Sequence, residues 1–115
     1  MTTVRWRTTR VMRAPESLGD VLKGWQKYEL DDSIYVPTGT EPSLEARVNV
    51  LPFDPKRKRI LEEHHYLLGI EQVRDVVEGL ERQLGRTATP HERLRAVVYF
   101  ARHDAFIDPR DALGG

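Results

Sequence analysis

The strongest constraint on the fold is local and lies in the second half of the chain. Thr89, Pro90 and Glu92 stand in the order of a helix start: a threonine N-cap, a proline at the first helical position, and a glutamate three residues after the cap to complete a capping box. Leu94, Val97, Val98 and Ala101 then supply one apolar stripe at helical spacing. Upstream, Val73, Val76, Val77, Leu80 and Leu84 form a second stripe, closed by Gly85 where a left-handed C-terminal cap is expected. Only Gly85 to Ala88 separate the two helices, so they are expected to pack antiparallel as a hairpin. Two single-striped helices need a further apolar surface to cover, and the rest of the chain must provide it.

That surface is expected from strands. Ser33 to Val36 read as extended and end at Pro37, and Thr38 to Ser43 carry turn chemistry throughout. Leu44, Ala46, Val48 and Val50 then alternate with Glu45, Arg47 and Asn49, the pattern of a half-buried strand, and the pair suggests an antiparallel hairpin. The almost continuous apolar run Tyr66 to Ile70 suits a central strand, with Gly69 marking a bulge or a close helix contact. Before these, Leu18, Val21, Leu22, Trp25 and Tyr28 form the stripe of a first helix capped by Ser17, which makes Trp25 a core residue. The expectation is an α+β domain: a small antiparallel sheet of three to four strands packed on one face by three helices. A length of 115 residues requires only one domain.

The two ends are less constrained. Residues 1–13 admit two readings, an edge strand or a mobile arm, and hold Arg5, Arg7, Arg10 and Arg13 without an acid. The arginines read either as an edge protected against aggregation or as a contact for an anionic partner. Residues 109–115 have turn residues and little to bury, and are expected to form a flexible tail.

Composition then removes function classes. The chain has no cysteine, which excludes disulfides, thiolate nucleophiles and Cys-based zinc sites. His64 and His65 are adjacent, so in an extended segment they face opposite ways and do not converge on one ion. His91 falls in the first turn of a helix and His103 at a helix C-terminus, where a cation suits the dipole. Glu62 and Glu63 beside His64 and His65 offer acid–base groups, but no nucleophile stands at a spacing that assigns roles. The eight glycines form no phosphate-binding loop. No enzyme site, metal site or cofactor, and no small-molecule substrate, is therefore expected.

Eighteen basic and eighteen acidic side chains cancel, so recognition by charge must be local. Residues 14–32 hold Glu16, Asp20, Glu29, Asp31 and Asp32 against Lys23 and Lys27, an acidic segment suited to a basic protein surface. Lys56, Arg57, Lys58 and Arg59 form a basic run, read either as a solvated loop or, together with the Arg-rich start, as a nucleic-acid contact. With no apolar targeting segment near the start and no stretch of about 18 apolar residues, no membrane association is expected and the cytoplasm is the expected compartment.

A set of residues carries a family likeness. Leu18, Val21 and Leu22, then Ile34 to Pro37, then Leu68, Gly69, Ile70, Val73, Asp75 and Val76, and finally Tyr99 with Asp104 to Ile107, resemble a family of small bacterial proteins. Some of its members are similar to immunity proteins of contact-dependent growth inhibition and related polymorphic toxin systems. The likeness spans about residues 17 to 108. It implies a stoichiometric inhibitor whose partner is a cognate protein toxin. Such a protein requires a preformed patch of about 800 Å² per partner with aromatic or arginine anchors. Trp6, Tyr35 and Tyr66 are the candidate anchors, with Asp31 and Asp32 as steering charges. The alternative function is a nucleic-acid-binding or phage-related regulatory module using Arg5, Arg7, Arg10, Arg13 and Lys56 to Arg59.

Overall fold

The computed structural model describes residues 16–39, 41–52 and 64–113. Ser17 closes a two-residue strand, β1 (Glu16–Ser17), and its hydroxyl accepts from the Asp20 N–H at 3.1 Å, starting helix α1 (Leu18–Lys23). The expected first helix is shorter than its stripe. It stops at Gly24, and a 3₁₀ turn (Trp25–Lys27) carries the same apolar face onward, so that Trp25 and Tyr28 are still buried. Strands β2 (Asp32–Pro37), β3 (Arg47–Pro52) and β4 (His64–Gly69) follow, then helices α2 (Ile70–Leu84), α3 (Pro90–His103) and the four-residue α4 (Pro109–Ala112).

The four strands form one sheet in the order β1-β3-β2-β4, with every described pairing antiparallel. The fold is α+β, as expected, and β2 with β3 makes the expected hairpin. Ile34, Val36, Val48 and Leu68 point from the sheet into one core with Leu18 and Leu22 of α1, Val73, Val77 and Leu80 of α2, and Ala96 and Val97 of α3. At about 25 cal/mol per Å² of apolar surface removed from water, this shared burial is the main term holding the helices to the sheet.

Three expectations change. Among the described strands, the apolar run ending at Ile70 belongs to one at the edge of the sheet, and β2 and β3 take the interior places. The run is continuous for another reason: Ile34 pairs with Leu68 and Tyr35 with Tyr66, so Leu67 is an extra, bulged residue. The bulge lets Leu67 pack against the core beside Leu68, and Ile70 already belongs to α2.

Leu44 and Ala46 lie ahead of β3, where their carbonyls accept from the backbone N–H groups of Gly19 (2.9 Å) and Leu18 (2.8 Å). A β-carbon on Gly19 would stand 3.2 Å from the Leu44 carbonyl oxygen, so glycine permits this close approach.

The expected tail is held as far as Leu113. Asp108 caps α4 by accepting from the Arg110 N–H at 2.9 Å, Ala112 is fully buried, and the Ala112 carbonyl accepts from Arg95 at 2.8 Å. Among the described residues, no helix is long and apolar enough to cross a membrane.

Candidate functional site

Two of the residues proposed as anchors, Tyr35 and Tyr66, meet on β2 and β4 near the start of α2. Ser33 pairs with Gly69 across the sheet, and Gly69 is the last residue before the helix. Glycine has no side chain to cap the helix, so the capping is done from the other direction: Gln72, at the third helical position, accepts the Gly69 N–H on its side-chain oxygen at 2.9 Å. The same Gln72 oxygen accepts the Tyr66 hydroxyl at 3.2 Å. Tyr66 in turn stands edge-on to Tyr35, ring centroids 6.1 Å apart and planes at 73°, the arrangement favoured by the aromatic quadrupole.

Ile34 and Val36 face the core, so by strand alternation Tyr35 and its neighbour Tyr66 stand on the other face of the sheet. Tyr35 is buried at 7% exposure and Tyr66 is 49% exposed. One ring is therefore the support and the other the presented surface. Partial burial raises the Tyr66 pKa, the proximity of Tyr35 adds to the shift, and the Gly69 backbone opposes it. The hydroxyl stays protonated at neutral pH and remains a donor.

The turn before β2 joins the same helix start. The Leu30 carbonyl accepts from the Glu71 N–H at 3.2 Å. Asp32 accepts the Glu29 N–H at 3.1 Å on its side chain and donates its own N–H back to the Glu29 carbonyl at 3.0 Å. This reciprocal pair fixes the turn and leaves Leu30 and Asp31 outward, with Leu30 45% exposed. Tyr66 through its hydroxyl and Leu30 through its backbone carbonyl are thus both tied to the first turn of α2, and the acids Glu29, Asp31 and Glu71 are exposed beside them. Glu71 lies 3.6 Å from Arg74, which also contacts Asp75.

Of the residues expected at the site, Asp31 and Tyr66 are surface groups. Asp32 is a correction: it is 1% exposed and spends its carboxylate on the turn, so it does not steer a partner. Tyr35 is likewise a support and no direct anchor. Trp6, Arg5, Arg7, Arg10, Arg13 and Lys56, Arg57, Lys58 and Arg59 lie outside the described residues, as do Glu62 and Glu63. His64 and His65 pair opposite Pro37 and Val36 on successive positions of β4, and His65 Nδ1 lies 3.5 Å from the Thr38 hydroxyl. Among the described residues, no group of three or more His, Asp or Glu side chains is placed to hold a metal ion. Leu30 and Gln72 were missed from sequence. Gln72 had a signal, a glutamine three residues after a strand-ending glycine, whereas Leu30 had none.

These features define an α+β domain that presents a braced aromatic residue and an acidic turn at one end of its sheet. The chain belongs to the family described as a domain of unknown function, DUF7716, which matches residues 15–109. No curated protein and no solved structure matches it.

Proposed function

We propose that this chain is a non-catalytic protein-binding domain, an immunity protein that neutralises a cognate bacterial toxin in the cytoplasm by stoichiometric binding. The observation that carries this reading is the braced exposure of Tyr66. Its ring rests on Tyr35 and its hydroxyl on Gln72, so little side-chain freedom remains to be lost on binding. A rigid, half-exposed tyrosine is the kind of anchor that dominates interface energies, and the acids around it favour a basic partner surface.

The test uses the purified product of a toxin gene adjacent to the gene for this chain. Equimolar complex formation, loss of toxin activity, and a weakening of at least about tenfold in Tyr66→Ala support the reading. An adjacent toxin that the wild-type chain neither binds nor inhibits overturns it.

A further inference from the structure

We propose a second docking surface, on the C-terminal half of α3 and the segment leading into α4, that takes an acidic, amphipathic segment of another protein. It is built on other elements than the Tyr66 surface and does not depend on the toxin reading.

The surface exposes large apolar side chains. Phe106 is 62% exposed and Tyr99 36%. Two hollows, of about 200 Å³ and about 330 Å³, share Ile107 as a common wall; Phe106 lines the smaller, and Tyr99 with Leu94 and Val98 lines the larger. The rings are held in place, Phe106 by Phe100 (centroids 5.4 Å apart) and Tyr99 by His103 (4.3 Å). A contiguous exposed apolar surface beside preformed hollows is the usual mark of a recognition site.

Charge selects the occupant. Among the described residues, the larger hollow is rimmed by Arg95, Arg102 and His103 with no carboxylate in its lining, whereas Asp75 and Arg82 line the smaller together. Arg102 and His103 also complement the dipole at the end of α3, but Arg95 lies two turns earlier, where the dipole gives it no role. Arg95 is oriented instead by donating to the Ala112 carbonyl. Arg102 is paired with Glu41, and both side chains are largely exposed, at 52% and 80%. An exposed pair of this kind contributes little and is readily exchanged. Glu41 therefore occupies the position that a partner's carboxylate takes on docking, while an apolar side chain of the partner enters the hollow beside Tyr99.

The test is an NMR titration of the full chain with two synthetic peptides of one Leu/Phe helical pattern, their polar positions all Glu in one and all Lys in the other. The Glu peptide is expected to bind and to shift Tyr99, His103 and Phe106; the Lys peptide is expected to leave them unmoved. Glu41→Gln, which frees Arg102, should tighten the Glu peptide by about two- to fivefold, and Arg102→Gln should weaken it by about tenfold. Retention of the wild-type spectrum outside the site shows that each variant is folded. The proposal is overturned if neither peptide shifts these residues at millimolar concentration, if both bind alike, if the shifts map to Tyr66, or if Phe106 proves covered by a second copy of the chain in sedimentation experiments.

Discussion

Arg93 on α3 donates from Nη2 to Glu81 on α2 at 2.7 Å, and from Nη1 to the Leu22 carbonyl at the end of α1, also at 2.7 Å. One guanidinium therefore ties three helices together. Glu81 extends the link, since the same carboxylate oxygen accepts the Ala88 N–H at 2.9 Å in the connection between α2 and α3. The Arg93 and Glu81 side chains are mostly buried, at 12% and 25% exposure. Removing one partner leaves the other charge poorly solvated. Glu81→Ala is expected to lower unfolding stability by about 2 kcal/mol, and Glu81→Gln by about half that because an amide oxygen still accepts from Ala88. Urea denaturation monitored by circular dichroism measures both. Equal losses in the two variants would show that the charge, and not the hydrogen bond to Ala88, carries the link.

Acid should loosen the same connection through a different pair. Arg86 meets Glu92 with two hydrogen bonds of 2.9 Å each, and Glu92 also accepts the Thr89 N–H at 2.8 Å. The Arg86 guanidinium, followed by the Thr89 backbone, lowers the Glu92 pKa from an ordinary 4.5 to about 2. A carboxyl whose folded value lies below its unfolded value stabilises the fold fully above the unfolded value, and this contribution is lost as pH falls toward the folded one. The urea midpoint is therefore expected to fall between pH 4.5 and pH 2, and Arg86→Gln should flatten that decline. Asp108, held low by Arg110, works in the same direction at α4. An acid limb unchanged in Arg86→Gln would remove Glu92 from this account.

These interactions explain which parts of the fold were legible in the sequence. The capping box at Thr89 and the left-handed glycine at Gly85 are set by residues a few positions apart, so their signal is complete within one window. The edge position of β4 is not local. It depends on which strands pair across the sheet, and the bulge at Leu67 mimics the unbroken apolar run of a central strand. At α4 the start signal was present, since Asp108 and Pro109 repeat the device of Thr89 and Pro90, but four residues offer no stripe to support it. The site was half legible for the same reason. Tyr66 and Asp31 are exposed, while the separation of Asp31 from Asp32 is decided by a hydrogen bond to Glu29 that composition does not reveal.

The two neighbouring aspartates give a direct contrast. Asp31→Lys changes an exposed charge and is expected to leave the thermal midpoint within a degree or two, while slowing association with a basic partner and weakening the dependence of that rate on salt. Asp32→Ala leaves the Glu29 N–H without its acceptor in the turn and should cost about 1–3 kcal/mol. Differential scanning calorimetry and stopped-flow association separate the two. A large loss of stability in Asp31→Lys would contradict the placement of the turn.

At the ends of α2 and α3 two different residues occupy the same backbone conformation. Gly85 closes α2 at φ 72° and ψ 20°, and Asp104 closes α3 at φ 53° and ψ 37°. Each donates its N–H back into the helix, to Glu81 and Phe100 respectively. Glycine adopts this left-handed region freely, whereas a residue with a β-carbon is strained in it, and a carboxylate at a helix C-terminus also meets the negative end of the dipole. Gly85→Ala is thus expected to destabilise by about 1 kcal/mol. Asp104→Gly should stabilise by about 0.5 kcal/mol, since relief of strain and of the dipole exceeds the greater freedom glycine gives the unfolded chain. If Asp104→Gly instead destabilises the chain, the Asp104 side chain makes a contact worth more than the strain it imposes, and the adjoining Phe106 segment depends on that contact for its position.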